Sequence, residues 1–268
     1  MKPNRFKQVL SEGRVPVGHM LWEFTTRGIA KILESAGVDF VLIDMEHTAC
    51  DVSSTADVIA WLKATSIAPF VRVPQGLYHF LARAMDSGAL GVMVPDVRSA
   101  SHAEEIVRAV KYAPQGARGV GLGTAHTDYL APDPAAYFEE SNRNTTVICQ
   151  IESTQGLDRV DAIAATQGVD VLWVGHFDLT QSMGIPGQFQ APAFLEALQW
   201  VVAAARRHGK AAGIQPFNPQ QAERWLALGF NVISWGTDVA VYQRALQAEI
   251  AALRTIVDAR SASAGKSD

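Results

Sequence analysis

The residues of this chain able to do chemistry stand at the ends of short β-branched runs. Asp44, Glu46 and His47 follow one run, Arg72 another, Gln150 and Glu152 a third, and Gly175, His176 and Asp178 a fourth. A buried charge is costly unless it is paired or bound to a metal, so such a gathering needs mutual compensation. Glu152 and Asp178 are two carboxylates from neighbouring runs, a set that a hard divalent cation (Mg²⁺, Mn²⁺ or Co²⁺) accepts with water in its remaining positions. The alternative is that one of them pairs with Arg72 and the other caps the next helix. Asp44 and His47, three apart, could form a dyad in which the carboxylate fixes the imidazole tautomer. Equally, Asp44 could cap a helix and leave His47 exposed. Arg72, inside Phe70-Val71-Arg72-Val73-Pro74, is read as facing an anion, a ligand carboxylate in preference to the alternative of a structural ion pair, because a guanidinium in an apolar strand meets an anion.

These residues require a scaffold that brings strand ends together. Eight runs read as strands: Pro16–Leu21, Phe40–Asp44, Pro69–Val73, Leu90–Val94, Thr146–Ile151, Val171–Val174, Ala211–Gln215 and Asn231–Trp235. Between them lie segments of helical spacing, such as Leu77, Phe80, Leu81 and Ala84. Another, Ala103, Ile106, Val107 and Val110, has Ser101 and Glu104 as its expected capping box. Alternating β and α with near-continuous apolar strands means an α/β protein with a parallel sheet covered by helices. The count of eight, and the lack of GxGxxG after the first strand, favour a (β/α)8 TIM barrel over a doubly wound sheet. Its chemistry then belongs at the carboxyl ends of the strands, where Glu23, Gln215 and Asp238 join the residues above.

One domain, 1–258, suffices, with 259–268 expected as a flexible polar tail. The connection from Val94 to Thr146 is abnormally long. It holds the Gly-rich run 119–123, read as a flexible loop, and a helical piece over Pro134–Asn142. It is expected to be a lid or a subunit contact at the working end. The last helix, Asp238–Val257, keeps Tyr242, Leu246, Ile250, Leu253 and Val257 on one stripe. No lysine is placed to project into the barrel, so imine chemistry is excluded and any carbonyl chemistry needs a metal as electron sink. His79, His102, His126 and His208 have no nameable partner.

The 268 residues carry 23 Lys plus Arg against 27 Asp plus Glu, a net charge of −4 that gives no reason to expect nucleic acid. No stretch approaches the ~20 apolar residues of a membrane span. The polar Met1–Pro16 segment has no signal-peptide core, and Cys50 and Cys149 are too few for a disulfide framework. A reducing cytoplasm is the expectation.

With these residues placed, the chain resembles the HpcH/HpaI aldolases of the phosphoenolpyruvate/pyruvate barrel superfamily. The resemblance runs from about Val17 to Leu246. It is carried by Asp39-Phe40-Val41-Leu42-Ile43-Asp44-Met45-Glu46-His47, Val71-Arg72-Val73-Pro74 and Val92-Met93-Val94-Pro95, then by the Pro114–Gly121 segment, Gln150-Ile151-Glu152 and Gly175-His176-Phe177-Asp178-Leu179. It implies a divalent-metal-dependent pyruvate aldolase that cleaves 4-hydroxy-2-oxo acids to pyruvate or hydroxypyruvate and an aldehyde through a metal-stabilised enolate. It also implies Glu152 and Asp178 as metal ligands, His47 as acid/base, Asp44 as its orienting partner and Arg72 facing the oxo acid. Gln150, Gly175 and His176 would line the substrate. A C-terminal helix exchanged between subunits, in dimers that build a hexamer, is implied too. The pattern departs from the resemblance at Glu23, Met45 and His176-Phe177, which bears on substrate identity. The alternatives are a coenzyme A thioester lyase of the citrate lyase β or malyl-CoA type and a non-catalytic assembly subunit.

Overall fold

The computed structural model describes residues 1–264. Eight parallel strands close into a barrel in chain order: β1 (Val17–Leu21), β2 (Phe40–Asp44), β3 (Ala68–Arg72), β4 (Gly91–Val94), β5 (Thr146–Ile151), β6 (Val171–Val174), β7 (Ala211–Ile214) and β8 (Val232–Thr237). The helices are α1 (Arg5–Ser11), α2 (Ile29–Ser35), α3 (Val52–Leu62), α4 (Tyr78–Asp86), α5 (Ala100–Val110) and α6 (Pro134–Asn144), then α7 (Thr154–Asp158), α8 (Val160–Ala165), α9 (His176–Ser182), α10 (Pro192–Arg207), α11 (Pro219–Leu228) and α12 (Asp238–Ala264). The expected (β/α)8 barrel is therefore observed, with strand ends shifted by one or two residues.

Alternation along each strand sorts side chains between two cores. Phe40, Leu42, Phe70, Met93, Ile148 and Trp173 fill the barrel interior, whereas Val41, Ile43, Val71, Val92, Val147 and Val174 face the helices. The same period of two explains the site. Phe40 and Leu42 are followed by Asp44, Phe70 by Arg72, and Ile148 by Gln150 and Glu152, so the polar residues continue the inward rows at the carboxyl end.

The amino-terminal end of the barrel is plugged by α1, which the sequence reading left as a polar segment. Phe6 and Val9 are fully buried, and the Phe6 ring meets Phe40 and Phe70 edge to face at 5.2 and 5.1 Å. Burying one such ring stabilises by about 1.5–3 kcal/mol. Asn4 caps α1 by accepting from the Lys7 N–H and donates to the Asn144 carbonyl at 2.7 Å, tying the plug to the start of β5.

Most of the long connection lies away from the working end. Helix α5 follows β4 directly and returns to the amino-terminal face, and the excursion over 111–145 comes after it. There Lys111 donates to the Asn142 and Thr145 carbonyls, both at 2.6 Å, and the buried Arg118 reaches Asp86. The Gly119 N–H of the excursion donates to the hydroxyl of Tyr78, the first residue of α4, at 3.1 Å. The cap of α5 is Ser99, accepting from the His102 N–H at 3.1 Å, rather than Ser101, because the helix begins one residue before the expected box. Helix α12 continues through Ala264, past the expected stop at Val257, and the rest of the expected tail, 265–268, lies outside the described residues.

Candidate active site

A cavity of about 350 Å³ opens at the carboxyl ends of the strands, lined by His47, Arg72, Gln150, Gly175, His176 and Asp178 among others. At its floor the guanidinium of Arg72 donates from Nε and Nη2 to the two oxygens of Asp44, both at 2.8 Å, and Nη1 stands 3.3 Å from Glu46 Oε2. Asp44 is fully buried, so this bidentate pair is desolvated. Of the five guanidinium N–H groups, two are hydrogen-bonded, both to Asp44, and Nη1 meets Glu46 as an ion pair without a hydrogen bond, which leaves the remaining N–H groups for a ligand in the cavity.

Asp44 therefore pairs with Arg72 and accepts the Glu46 N–H at 3.0 Å; the expected Asp44–His47 dyad is not formed. The physical reason is register. Asp44 and Arg72 are direct partners across β2 and β3, whereas His47 lies beyond the strand with its side chain 54% exposed. The carboxylate beside His47 is that of Glu46, with Oε2 3.7 Å from Nε2. Glu46 is the residue whose role sequence reasoning missed, although its place two residues after Asp44 was the available signal.

Glu152 is held by two donors: the Asp96 N–H at 2.6 Å to Oε1, and Gln150 Nε2 to Oε2. Asp96 takes the left-handed conformation, φ 50°, that points its N–H at this carboxylate, and Asp tolerates that region better than most residues. Nothing in the sequence marked it. Gly175 is required at its position because a Cβ there would collide with Glu152 and come within 2.9 Å of Gln150 Nε2. Burial, with help from the charges of Glu46 and Asp178, pushes Glu152 up to about 7. Burial likewise pushes Glu46 to about 7, opposed by Arg72. Asp178, in the first turn of α9, is exposed to the cavity and receives no hydrogen bond among the described residues.

His176 is buried among aromatic rings, and burial alone depresses it to about 4, so it is a neutral imidazole. Neither ring nitrogen has a hydrogen-bond partner among the described residues. Two other histidines gain partners that the sequence did not reveal: His126 meets Thr124 Oγ1 at 2.8 Å, and His208 meets Asp161 at 3.2 Å. Among the described residues no lysine lines the cavity.

Asp44, Glu46, Glu152 and Asp178 stand against one guanidinium. The described residues hold no gathering of three or more His, Cys, Asp or Glu side chains placed to ligate a metal. What the site offers instead is two carboxylates, Glu152 and Asp178, that form no ion pair with Arg72, whose direct partners are Asp44 and Glu46. An all-oxygen pair with room for water fits a hard divalent cation.

A polar, acidic site of this kind on a closed (β/α)8 barrel defines a barrel enzyme site, and comparison with known proteins assigns it further. The profile of the HpcH/HpaI aldolase/citrate lyase family matches residues 20–245. A 5-keto-4-deoxy-D-glucarate aldolase from Shigella dysenteriae is 37% identical over 246 residues, covering 91% of this chain and 94% of that relative. Among solved structures, an HpcH/HpaI aldolase from Desulfitobacterium hafniense superposes with a TM-score of 0.88 at 32% identity, covering 92% of this chain and 96% of that one. A family protein from Burkholderia cenocepacia gives 0.87 at 31% identity, covering 94% and 99%. The chain belongs to the HpcH/HpaI aldolase/citrate lyase family.

Proposed function

We propose that this protein is a divalent-metal-dependent aldolase that reversibly cleaves a 4-hydroxy-2-oxo acid into pyruvate, or hydroxypyruvate, and an aldehyde. The observation that carries the reading is the pairing of a clamped guanidinium, Arg72, with two carboxylates, Glu152 and Asp178, that line the same end of the barrel and form no direct ion pair among the described residues. Glu152 and Asp178 would hold Mg²⁺, Mn²⁺ or Co²⁺, which when bound supplies Lewis acidity to the keto group of the 2-oxo acid.

The chain's own residues do the rest. Arg72, clamped by Asp44, keeps its remaining N–H groups for the carboxylate or keto oxygen of the oxo acid. Its charge-assisted hydrogen bonds strengthen as negative charge develops there when C3 is deprotonated. Gln150 fixes Glu152, and Gly175 leaves room for it. His47, at the mouth beside Glu46, is within the cavity lining and serves as the acid/base that takes the proton from the C4 hydroxyl in cleavage and returns it in condensation. His176 forms part of the wall that the aldehyde half meets.

The stripe of Tyr242, Leu246, Ile250, Leu253 and Val257 on α12 is exposed in the single chain, at 44–55%. We read it as covered by a second copy in a homo-oligomer, in keeping with an exchanged C-terminal helix and a dimer-based hexamer. Cys50 and Cys149 are both free thiols, in keeping with a cytoplasmic setting. No helix among the described residues is long and apolar enough to cross a membrane.

The test needs no knowledge of the aldehyde. Proton NMR of the pyruvate methyl group in D₂O should show exchange with Mn²⁺ or Mg²⁺ present and none after chelation. Exchange that persists in chelated enzyme, or is missing with metal bound, would refute the reading.

A further inference from the structure

The cavity has two chemically unlike halves. On the side of β2, β3 and β5 stand Arg72, Gln150, Asp44, Glu46 and Glu152. On the side of β6 and β7 stands a continuous cluster of rings: His176 lies 5.0 Å from Phe177, 5.2 Å from Phe189, 4.7 Å from Phe217 and 5.9 Å from Trp225, and Phe177 and Phe217 are 5.4 Å apart, centroid to centroid. These contacts make a preformed apolar wall. Its rim is uncovered. Phe177 is 56% exposed, and Phe217 and Trp22, both lining the same cavity, are each 37% exposed.

The wall carries no cation. Among the described residues that line the cavity the charged bases are limited to Arg72, committed to Asp44 and Glu46, and the histidines. A substrate with a carboxylate at each end would therefore have one end served by Arg72 and the other pressed against aromatic rings, where an unpaired charge is costly.

We propose that the aldehyde half of the substrate is uncharged and bears an aromatic or bulky apolar group that lies on Phe177 and Phe217. This rests on the aldolase reading above and deepens it. It also separates this chain from the sugar diacid in the name of its Shigella dysenteriae relative. In the condensation direction C3 of the 2-oxo acid loses a proton and bonds to the aldehyde carbon, and the aldehyde oxygen gains a proton, so the apolar group takes no part in the bond change and acts through binding alone.

The experiment is a competition between two aldehydes with the intact protein, pyruvate and Mn²⁺. With 3-phenylpropanal and succinic semialdehyde as acceptors, kcat/KM should favour the former by about tenfold or more. Phe217→Ala and Phe177→Leu should each shrink that ratio by about fivefold. A ratio between two acceptors does not depend on how much of a variant is folded. Equal use of the two aldehydes, a preference for the acid, or ratios unchanged in both variants would overturn the inference. Pyruvate proton exchange, measured alongside, tells the two failures apart. Exchange without the preference sinks this inference alone; no exchange sinks the aldolase reading and this inference with it.

Discussion

Asp44 and Arg72 face each other as register partners across β2 and β3, and the guanidinium grips the buried carboxylate through two hydrogen bonds of 2.8 Å. The pair fixes the plane of Arg72 and so aims its remaining N–H groups. Arg72→Lys replaces a planar fork by a point charge that cannot span both Asp44 oxygens and still reach Glu46. We expect kcat/KM for cleavage to fall by about 100-fold or more, as for loss of an oxyanion donor. Near-normal turnover in steady-state assays would remove Arg72 from the reaction.

Breaking the same pair from the other side tests its contribution to folding. Asp44→Ala leaves the Arg72 charge buried with Glu46 as its remaining near partner, and such a loss costs about 3–5 kcal/mol. Urea unfolding should report it as a lowered midpoint with an unchanged slope. A variant as stable as the parent would mean that the desolvated pair is not held as described.

The proposed metal ligands can be tested without catalysis. Glu152→Ala removes one carboxylate outright. Gly175→Ala leaves every ligand in place yet drives a Cβ into the space of Glu152 and Gln150. Isothermal titration with Mn²⁺ should show binding lost in the first and strongly weakened in the second, with the circular dichroism of the barrel unchanged in both. Undiminished binding in Glu152→Ala would move the site elsewhere.

Much of this was readable from the chain, for reasons that differ residue by residue. Phe40-Leu42-Asp44 and Ile148-Gln150-Glu152 alternate with a period of two, so an inward apolar row predicts an inward polar end, and the barrel and most of its rim followed. Partnership was less readable. Asp44–Arg72 depends on the register between two strands 28 residues apart, which no local pattern encodes, and the eye pairs Asp44 with its neighbour His47 instead. Asp96 contributes only a backbone N–H, and a left-handed turn after Pro95 leaves no chemical mark. Direction was misjudged for the segment 111–145, because length alone does not say at which end of a barrel a loop emerges.

The raised carboxyl of Glu152 gives a pH dependence of definite sign. Its ordinary value is 4.5 and burial lifts it to about 7, so the folded protein binds the extra proton between those values. Without metal, stability should fall as pH rises from about 4.5 to about 7 and then level, since the unfolded chain ionises first. A divalent cation competes with the same proton, so its affinity should weaken by about tenfold for each pH unit below 7 and be flat above. Titration calorimetry between pH 5.5 and 8.5 measures the second effect, and a flat profile would contradict the burial of Glu152.

Imine chemistry predicts a different fingerprint, and the lysines argue against it. Lys2 donates to the Leu62 and Ile67 carbonyls, Lys111 to Asn142 and Thr145, and Lys210 to Val169, all at the amino-terminal side of the barrel, while Lys63 holds Asp128 and the Ala125 carbonyl. None lines the cavity. Treatment with pyruvate and borohydride should therefore leave activity intact and add no pyruvyl mass to the protein. A lysine adduct found by mass spectrometry would replace the metal as the electron sink.

The exposed stripe of α12 predicts assembly. Beyond its first turns, which pack on β8 and β1 with Tyr242 against the Phe24 ring at 5.5 Å, the helix leaves Leu246, Ile250, Leu253 and Val257 uncovered along one side. A row of aliphatic side chains this long is costly in water and is covered when a second copy packs on it. Ile250→Glu with Leu253→Glu places two charges in the centre of that row, far from the strand ends. Light scattering after gel filtration should show the parent as an oligomer and the double variant as a smaller species that keeps its barrel circular dichroism. An unchanged oligomer mass would mean that the contact between copies lies elsewhere on the barrel.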